Sequence, residues 1–212
     1  MHMTTTTLTT LFAAALGVAL IAGCSDGSGT SMDGHSMAST SESPADGPAD
    51  VAEADTMFAT MMYPHHAQAV EMASMVAGRS TNPDVVELAD EIAAAQKPEM
   101  ERLASWSTMW GRPAPSTDAM SMEGMDHGSG SGIMTSQDME SLKSLSDDAF
   151  DRQWLTMMIE HHEGAVAMAE KEVVEGSYGD AVAMARTIID TQNAEISRMR
   201  TLLGLDRRPR LC

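Results

Sequence analysis

The chain has 212 residues, a net charge of −18 at pH 7 and 4% aromatic residues, but it contains 21 methionines. The acidic balance argues against nucleic acid as a partner, because neutralising phosphates requires clustered Lys and Arg. A core built mainly from Ala, Met, Leu and Val favours helices over sheets, so the composition predicts an all-α protein.

The N-terminal residues 1–23 resemble a secretory signal peptide rather than a folded segment. The apolar run from Leu11 to Ala22 is too short to be a comfortable membrane span. It leads into Leu20-Ile21-Ala22-Gly23-Cys24, which resembles a bacterial lipobox, in which the cysteine is lipidated. Residues 24–49 are poor in large apolar side chains and are predicted to be a disordered tether. The sequence therefore predicts an exported lipoprotein, anchored to a membrane of the cell envelope through Cys24.

A first helical hairpin is predicted over about residues 50–110. Its first helix begins near Asp50 or Asp55, where Asp50 fits the first position of a capping box, and ends before Gly78. Its second helix has a clear start, because Asn82 is a favoured cap and is followed directly by proline.

A methionine-rich linker is predicted over residues 112–145, the longest stretch without helical periodicity. It contains Met120-Ser-Met122-Glu-Gly-Met125-Asp126-His127, and the tether contains a similar cluster at 32–37. A loop of this length is unusual in a compact domain and is either functional or disordered. We expect both clusters to add weak copper sites, and a solvated Gly/Ser linker is the alternative.

A second hairpin is predicted over residues 147–204. Ser146 caps its first helix, which runs to about Glu175. The second helix of this hairpin continues to Leu203 and is closed by Gly204. Residues 205–212 form a short basic tail.

The first helices of the two hairpins carry the same motif, MMxxHHxxAVxMA. The copies begin at positions 61 and 157, so each residue of the first copy has its equivalent 96 positions later. At about 3.6 residues per turn, positions i, i+4, i+7 and i+11 share one helix face. The resulting stripes contain Met61, His65 and Met72 in the first copy and Met157, His161 and Met168 in the second.

Stripes of thioethers and imidazoles suit soft ions such as Cu(I) or Ag(I) far better than Mg or Ca. A methionine stripe at helical spacing is more often plain core, since methionine fills irregular gaps. The repetition of paired histidines framed by methionine favours a metal site over that alternative.

The repeat continues into the second helix of each hairpin, where Gln96 and Glu99 match Gln192 and Glu195. These four side chains share a face with apolar residues, and polar groups near a core need partners. We expect them to orient the histidines or to pair with each other across the bundle. Two such hairpins joined by a long connection predict a four-helix bundle with His65 and His161 facing a common interior.

The motifs MMxPHHxQAVEMA and MMxEHHEGAVAMA, each followed by a helix reading IxxxQxxEI/M, resemble the family called domain of unknown function 305 (DUF305) over about residues 50–204. The resemblance implies a ferritin-like four-helix bundle, export from bacterial cells and, in some relatives, periplasmic binding of copper or silver. This sequence departs from the pattern in its methionine-rich linker and in Gly164, where the first copy has Gln68. The implied metal ligands are Met61, Met62, His65, His66, Met72, Met157, Met158, His161, His162 and Met168.

Three functions compete for this chain. The first is a non-enzymatic protein that binds Cu(I) or Ag(I) for sequestration or for delivery to a metal-exchange partner in the cell envelope. The second is a ferritin-like metal-dependent oxidoreductase, but such bundles use Glu-x-x-His motifs, and methionine stands three residues before His65 and His161. The third is an envelope binding module in which the stripes are only core.

Overall fold

A computed structural model of the chain describes residues 50–117 and 131–205. Within these two ranges the chain forms five α-helices and no strand, which confirms the predicted all-α fold class. The helices are α1 Glu53–Ser74, α2 Pro83–Met109, α3 Ser136–Lys143, α4 Asp147–Glu175 and α5 Gly179–Leu202.

Several predicted segments lie outside the described residues. They are the signal peptide, the tether with Cys24 and its Met/His cluster, the Met/His cluster at 120–127 and the tail after position 205. The limits proposed for these segments stay predictions. Among the helices that the structure does describe, none is both long enough and apolar enough to cross a membrane.

The four long helices form two hairpins that pack through their first helices. α1 packs along α2, α4 packs along α5, and α1 packs against α4. The indole Nε1 of Trp154, near the start of α4, donates to the carbonyl of Met72 near the end of α1 at 2.9 Å. At the other end, Asp55 of α1 accepts from the backbone N–H of Tyr178, just after α4, at 3.0 Å. α1 and α4 therefore run antiparallel, and the predicted pair of hairpins is confirmed.

The histidine pairs separate two apolar clusters along both α1 and α4. Among the described residues, one cluster includes Met72 of α1 with Met157 and Met158 of α4. The other includes Met62 of α1, with Met168 of α4 packed against it. Because α1 and α4 are antiparallel, the methionines that precede the histidines in one helix share a cluster with those that follow them in the other.

The helix caps agree only in part with the sequence prediction. Asn82 Oδ1 accepts from the N–H of Asp84 at 3.0 Å, as predicted for the start of α2. The predicted capping role of Asp50 is wrong, because α1 starts after Ala52, whose N–H donates to Asp55 Oδ2 at 2.6 Å. Ser146 does precede α4, but its hydroxyl donates to the Asp147 side chain and does not cap the helix.

The linker predicted over residues 112–145 contains near its end a helix that the sequence did not predict, α3. Thr135 Oγ1 accepts from the N–H of Asp138, whose carboxylate accepts in return from the N–H of Thr135. The helix buries Met139 and Leu142 against the cluster that contains Met72. With only two apolar residues, α3 is too short to show a helical period in the sequence.

A buried acid pair joins the start of α1 to the end of α4. Asp55 is 0% exposed and accepts from the N–H groups of Ser177 and Tyr178 at 3.1 and 3.0 Å. Glu172 of α4 is 1% exposed, and as a carboxylate it would have no hydrogen-bond donor among the described residues. Burial, with the adjoining Asp55, raises the pKa of Glu172 to about 8. Glu172 is therefore protonated at pH 7 and donates to Asp55.

Asp55 is the ionised member of this pair. Burial opposes its ionisation, but the hydrogen bonds from Glu172 and from the backbone N–H groups outweigh burial and lower the pKa of Asp55. The equivalent of Asp55 in the second copy, Asp151, is also buried, but its Oδ1 has no hydrogen-bond partner among the described residues. The two halves of the bundle thus differ at this position.

Candidate metal centre

His65 of α1 and His161 of α4 meet where the two hairpins pack together. Their ring centroids lie 3.8 Å apart with the ring planes tilted by 44°. Both side chains are 1% exposed. The structure thus brings together the two histidines that the stripe pattern places on facing helices.

The second histidine of each pair contacts the second helix of its own hairpin. His66 Nε2 donates to Glu99 Oε2 at 2.8 Å, and His162 Nε2 donates to Glu195 Oε2 at 2.7 Å. Both imidazoles are fully buried, whereas the carboxylates reach the surface with 19% and 13% of their side chains exposed. The contact is the same in both halves, so the repeat extends to the partners of these histidines.

Gln96 and Gln192, one turn before these glutamates, are also buried. Neither amide atom of Gln96 has a hydrogen-bond partner among the described residues, and the same holds for Oε1 of Gln192. The expected hydrogen bonds from the histidines therefore go to Glu99 and Glu195. A contribution of all four side chains to metal binding stays a prediction.

The ring nitrogens of the histidines are used unequally. Nε2 of His65 donates to the carbonyl oxygen of Ser131 at 3.1 Å, and Nε2 of His66 and His162 faces the carboxylates. Nδ1 of these three rings is buried without a partner among the residues that the structure describes. Within the same residues, neither nitrogen of His161 makes a hydrogen bond of good geometry, although the ring lies close to the backbone of His65. Buried polar atoms rarely stay unpaired in native proteins, so these nitrogens fit a bound ion.

Two of the imidazoles are neutral at pH 7. Burial, with the nearby His66 and His162, lowers the pKa of His65 to about 3. Burial and the adjacent His65 hold the pKa of His161 well below its ordinary value of 6.5. A neutral imidazole has a nitrogen lone pair free for a metal ion, and no proton has to leave first.

The predicted thioether ligands are mostly buried in the flanking apolar clusters. Met62, Met72 and Met158 are 0% exposed and Met157 is 3% exposed, whereas Met61 and Met168 are only partly buried. Among residues 50–117 and 131–205, no three His, Cys, Asp or Glu side chains converge as a metal site. An ion held by His65 and His161 would be two-coordinate or would take further ligands from thioethers. The methionines stay predicted ligands.

A short segment next to the histidines was not predicted as part of the site. Ser131–Met134 lies against α1 and α4, where the side chain of Gln68 binds the backbone of Met134 and Ser131 accepts from His65. The sequence signal for it was the departure from the repeat at Gly164, where the first copy has Gln68.

The fold and the site together define a class of protein. It is an all-α bundle of two similar helical hairpins, and each hairpin contributes a pair of histidines to a buried interior that methionines flank. Residues 55–203 match the family model described as a domain of unknown function, DUF305. The chain belongs to the DUF305 family. A comparison with the curated proteins found no match.

Solved structures of related proteins share this fold. A DUF305 protein from Streptomyces coelicolor is 34% identical, with a TM-score of 0.64 over 72% of this chain and 93% of that one. A DUF305 fragment from Deinococcus radiodurans is 29% identical, with a TM-score of 0.65 over 73% of this chain and 98% of that one.

The fold is also similar to that of the protein CopM. Its Cu(II)-bound form is 31% identical, with a TM-score of 0.61 over 71% of this chain and 96% of that one. CopM has also been solved with Cu(I) at 28% identity and with silver at 26% identity. Similar proteins with this fold therefore include one that binds copper and silver.

Proposed function

We propose that this domain binds a soft metal ion, Cu(I) or Ag(I), between His65 and His161, and that it sequesters or delivers the ion without catalysing a reaction. The observation that carries the proposal is the contact of two buried imidazoles from different hairpins at 3.8 Å, with unpaired ring nitrogens. The similarity to CopM, solved with Cu(I) and with silver, supports it.

The chemistry of the donors favours soft ions. Neutral imidazole nitrogen and methionine thioether bind Cu(I), and sulfur ligands in particular select it over Mg, Ca or Mn. The apolar clusters on both sides of the histidines contain Met62, Met72, Met157 and Met158. An ion bound here would also give a partner to a buried nitrogen, which otherwise costs about 1–3 kcal/mol in lost hydration.

The positions of the glutamates argue against a ferritin-like oxidoreductase. Di-iron bundles place Glu-x-x-His motifs on two of their helices, and neither histidine pair of this chain has a glutamate three residues before it. The two glutamates that approach the histidines, Glu99 and Glu195, come instead from the second helices of the hairpins.

We further propose that the domain works in the cell envelope, attached to a membrane by a lipid on Cys24, and that it exchanges metal with a protein partner. The lipobox pattern ending at Cys24 supports the anchor, and the related Streptomyces coelicolor protein is described as secreted. Cys24→Ala should release the protein from membranes. A variant that still fractionates with membranes like the parent would show that the anchor is elsewhere.

The metal site is tested by replacing both contacting histidines. The double variant His65→Ala/His161→Ala should lose at least tenfold in Cu(I) affinity, or about 1.4 kcal/mol, in competition with a chromophoric Cu(I) chelator under reducing conditions. His127→Ala, outside the repeated motif, is the matched control and should keep the tight site. Near-UV circular dichroism checks that the double variant is folded. Unchanged affinity in a folded double variant would make these histidines ordinary core residues.

A further inference from the structure

The segment Ser131–Met134 is attached to α1 by hydrogen bonds from two side chains. The Gln68 amide pairs with the Met134 backbone in both directions: Gln68 Nε2 donates to the Met134 carbonyl at 2.9 Å, and the Met134 N–H donates to Gln68 Oε1 at 2.8 Å. Both residues of this pair are buried. One turn earlier on α1, His65 Nε2 donates to the Ser131 carbonyl at 3.1 Å.

The same segment touches the backbone of α4 at two glycines. A Cβ on Gly164 would collide with the carbonyl oxygen of Ser131, and a Cβ on Gly132 would collide with the carbonyl oxygen of Glu160. Gly132 also has a φ of +70°, which L side chains rarely adopt. Any larger residue at Gly164 would therefore push the segment away from the histidines.

The two sides of this contact occupy equivalent positions of the repeat. Gln68 in the first copy corresponds to Gly164 in the second. The glutamine binds the segment and the glycine makes room for it, so the segment contacts the two copies of the motif differently. Among the described residues, the segment accepts a hydrogen bond from His65 and none from His161.

We propose that the segment Ser131–Met134, called the strap, positions His65 in the metal site. Gln68 binds the strap, and Gly164 leaves the space that it occupies. The strap fixes the proton of His65 on Nε2 and so leaves Nδ1 to bind the ion. This inference rests on the proposed function. A neutral imidazole can carry its proton on either nitrogen, and the hydrogen bond at one nitrogen decides which one is the donor to a metal. Loss of such an orienting partner typically costs 10–100-fold in metal affinity.

The test uses two variants of the full chain that act on opposite sides of the strap, Gln68→Ala and Gly164→Ala. An alanine in the interior of a helix is otherwise favoured over glycine, so a loss of Cu(I) affinity in Gly164→Ala reports the collision with Ser131. The matched controls are Gly179→Ala, where a Cβ meets no described atom within 4 Å, and Gln153→Ala, at an exposed position of α4.

Two measurements on the metal-free protein report the strap itself. Hydrogen exchange of the Met134 amide should speed up in both strap variants, since its acceptor Gln68 Oε1 is lost or displaced. Proton–nitrogen NMR of the His65 ring should show a single Nε2–H tautomer in the parent and in the controls, and a mixture of tautomers in the strap variants. Chelator competition should then show Cu(I) affinity lowered about tenfold in the strap variants and unchanged in the controls.

Other outcomes separate the inference from the proposed function. A single Nε2–H tautomer in variants with fast Met134 exchange would overturn the inference, because the strap would not set the proton. Hydrogen exchange of the Met134 amide that is unaltered in both strap variants would also overturn the inference. Mixed tautomers of His65 together with a Cu(I) affinity equal to that of the parent would overturn it as well. A parent protein that does not bind Cu(I) tightly would instead refute the proposed function, and with it the role of the strap in metal binding.

Discussion

Replacing Glu172 by glutamine should stabilise the protein increasingly as the pH rises above 4.5 towards 8, and not below that range. Glu172 is 1% exposed and lies beside the ionised Asp55, so the folded protein keeps its proton up to about pH 8. The unfolded chain loses that proton near the ordinary value of 4.5. Between these two pH values the folded state binds more protons than the unfolded state, and the free energy of unfolding therefore falls as pH rises. The glutamine amide keeps a donor for Asp55 and has no proton to lose.

The size of the effect follows from the two pKa values of Glu172. Each pKa unit between the folded and unfolded states corresponds to about 1.4 kcal/mol, which sets an upper limit of about 5 kcal/mol for a pKa near 8. Because relaxation and water penetration generally reduce the cost of burying a charge, we expect an effect of about 2–5 kcal/mol above pH 8. For a domain of this size that is a rise in melting temperature of roughly 5–20 °C.

Thermal unfolding followed by far-UV circular dichroism at pH 4.5 and at pH 9 measures this difference. Glu172→Gln and the parent should melt together at pH 4.5, and the variant should melt higher at pH 9. Glu170→Gln, exposed on the same helix, is the control and should follow the parent at both pH values. A Glu172→Gln variant that melts with the parent at pH 9 would show that Glu172 is ionised in the folded protein and that its burial does not hold a proton.

Three further predictions follow from single contacts. Trp154→Phe removes the donor to the Met72 carbonyl and part of a buried ring. Urea unfolding should therefore show a free energy of unfolding that is lower by about 1–3 kcal/mol. Unchanged stability would make the indole N–H dispensable. Because the pKa of His65 is about 3, the metal-free protein should lose stability as the pH falls from 6.5 towards 3. NMR should show a neutral His65 ring at pH 5. A ring that titrates near 6.5 would contradict the burial of His65. Glu195→Gln weakens the hydrogen bond to His162 and should lower Cu(I) affinity about 10–100-fold in the chelator assay. A lower melting temperature with equal Cu(I) affinity would show that Glu195 contributes to stability alone.

The features that the sequence predicted depend on local or repeated patterns. Asn82 could be recognised as a cap because its partner, the N–H of Asp84, is two residues away. The meeting of His65 and His161 followed from two equal stripes on helices that must bury the same face. In both cases the information lies within a few residues or in a copy of them.

The features that the sequence did not predict depend on contacts between distant segments. The strap is held by Gln68, which lies 66 positions before Met134, and no local pattern marks that pair. Asp55 is engaged by Ser177 and Tyr178 rather than only by its own helix, because α1 begins where α4 ends. The predicted cap at Asp50 was wrong for the same reason, since Asp55 already serves both the helix start and this distant turn.

The repeat also creates a problem of partner choice during folding. Each hairpin offers nearly the same interior face, centred on His65 in one and on His161 in the other, so a hairpin can in principle pair with its own copy from a second chain. Domains that fold during synthesis form their N-terminal part first, which leaves the first hairpin without its partner for a time. A pair of first hairpins would have two copies of Gln68 and no glycine to leave space for the strap. A pair of second hairpins would have two copies of Gly164 and no glutamine to bind the strap. The inequality between Gln68 and Gly164 thus favours the pairing of unlike hairpins over the pairing of like ones.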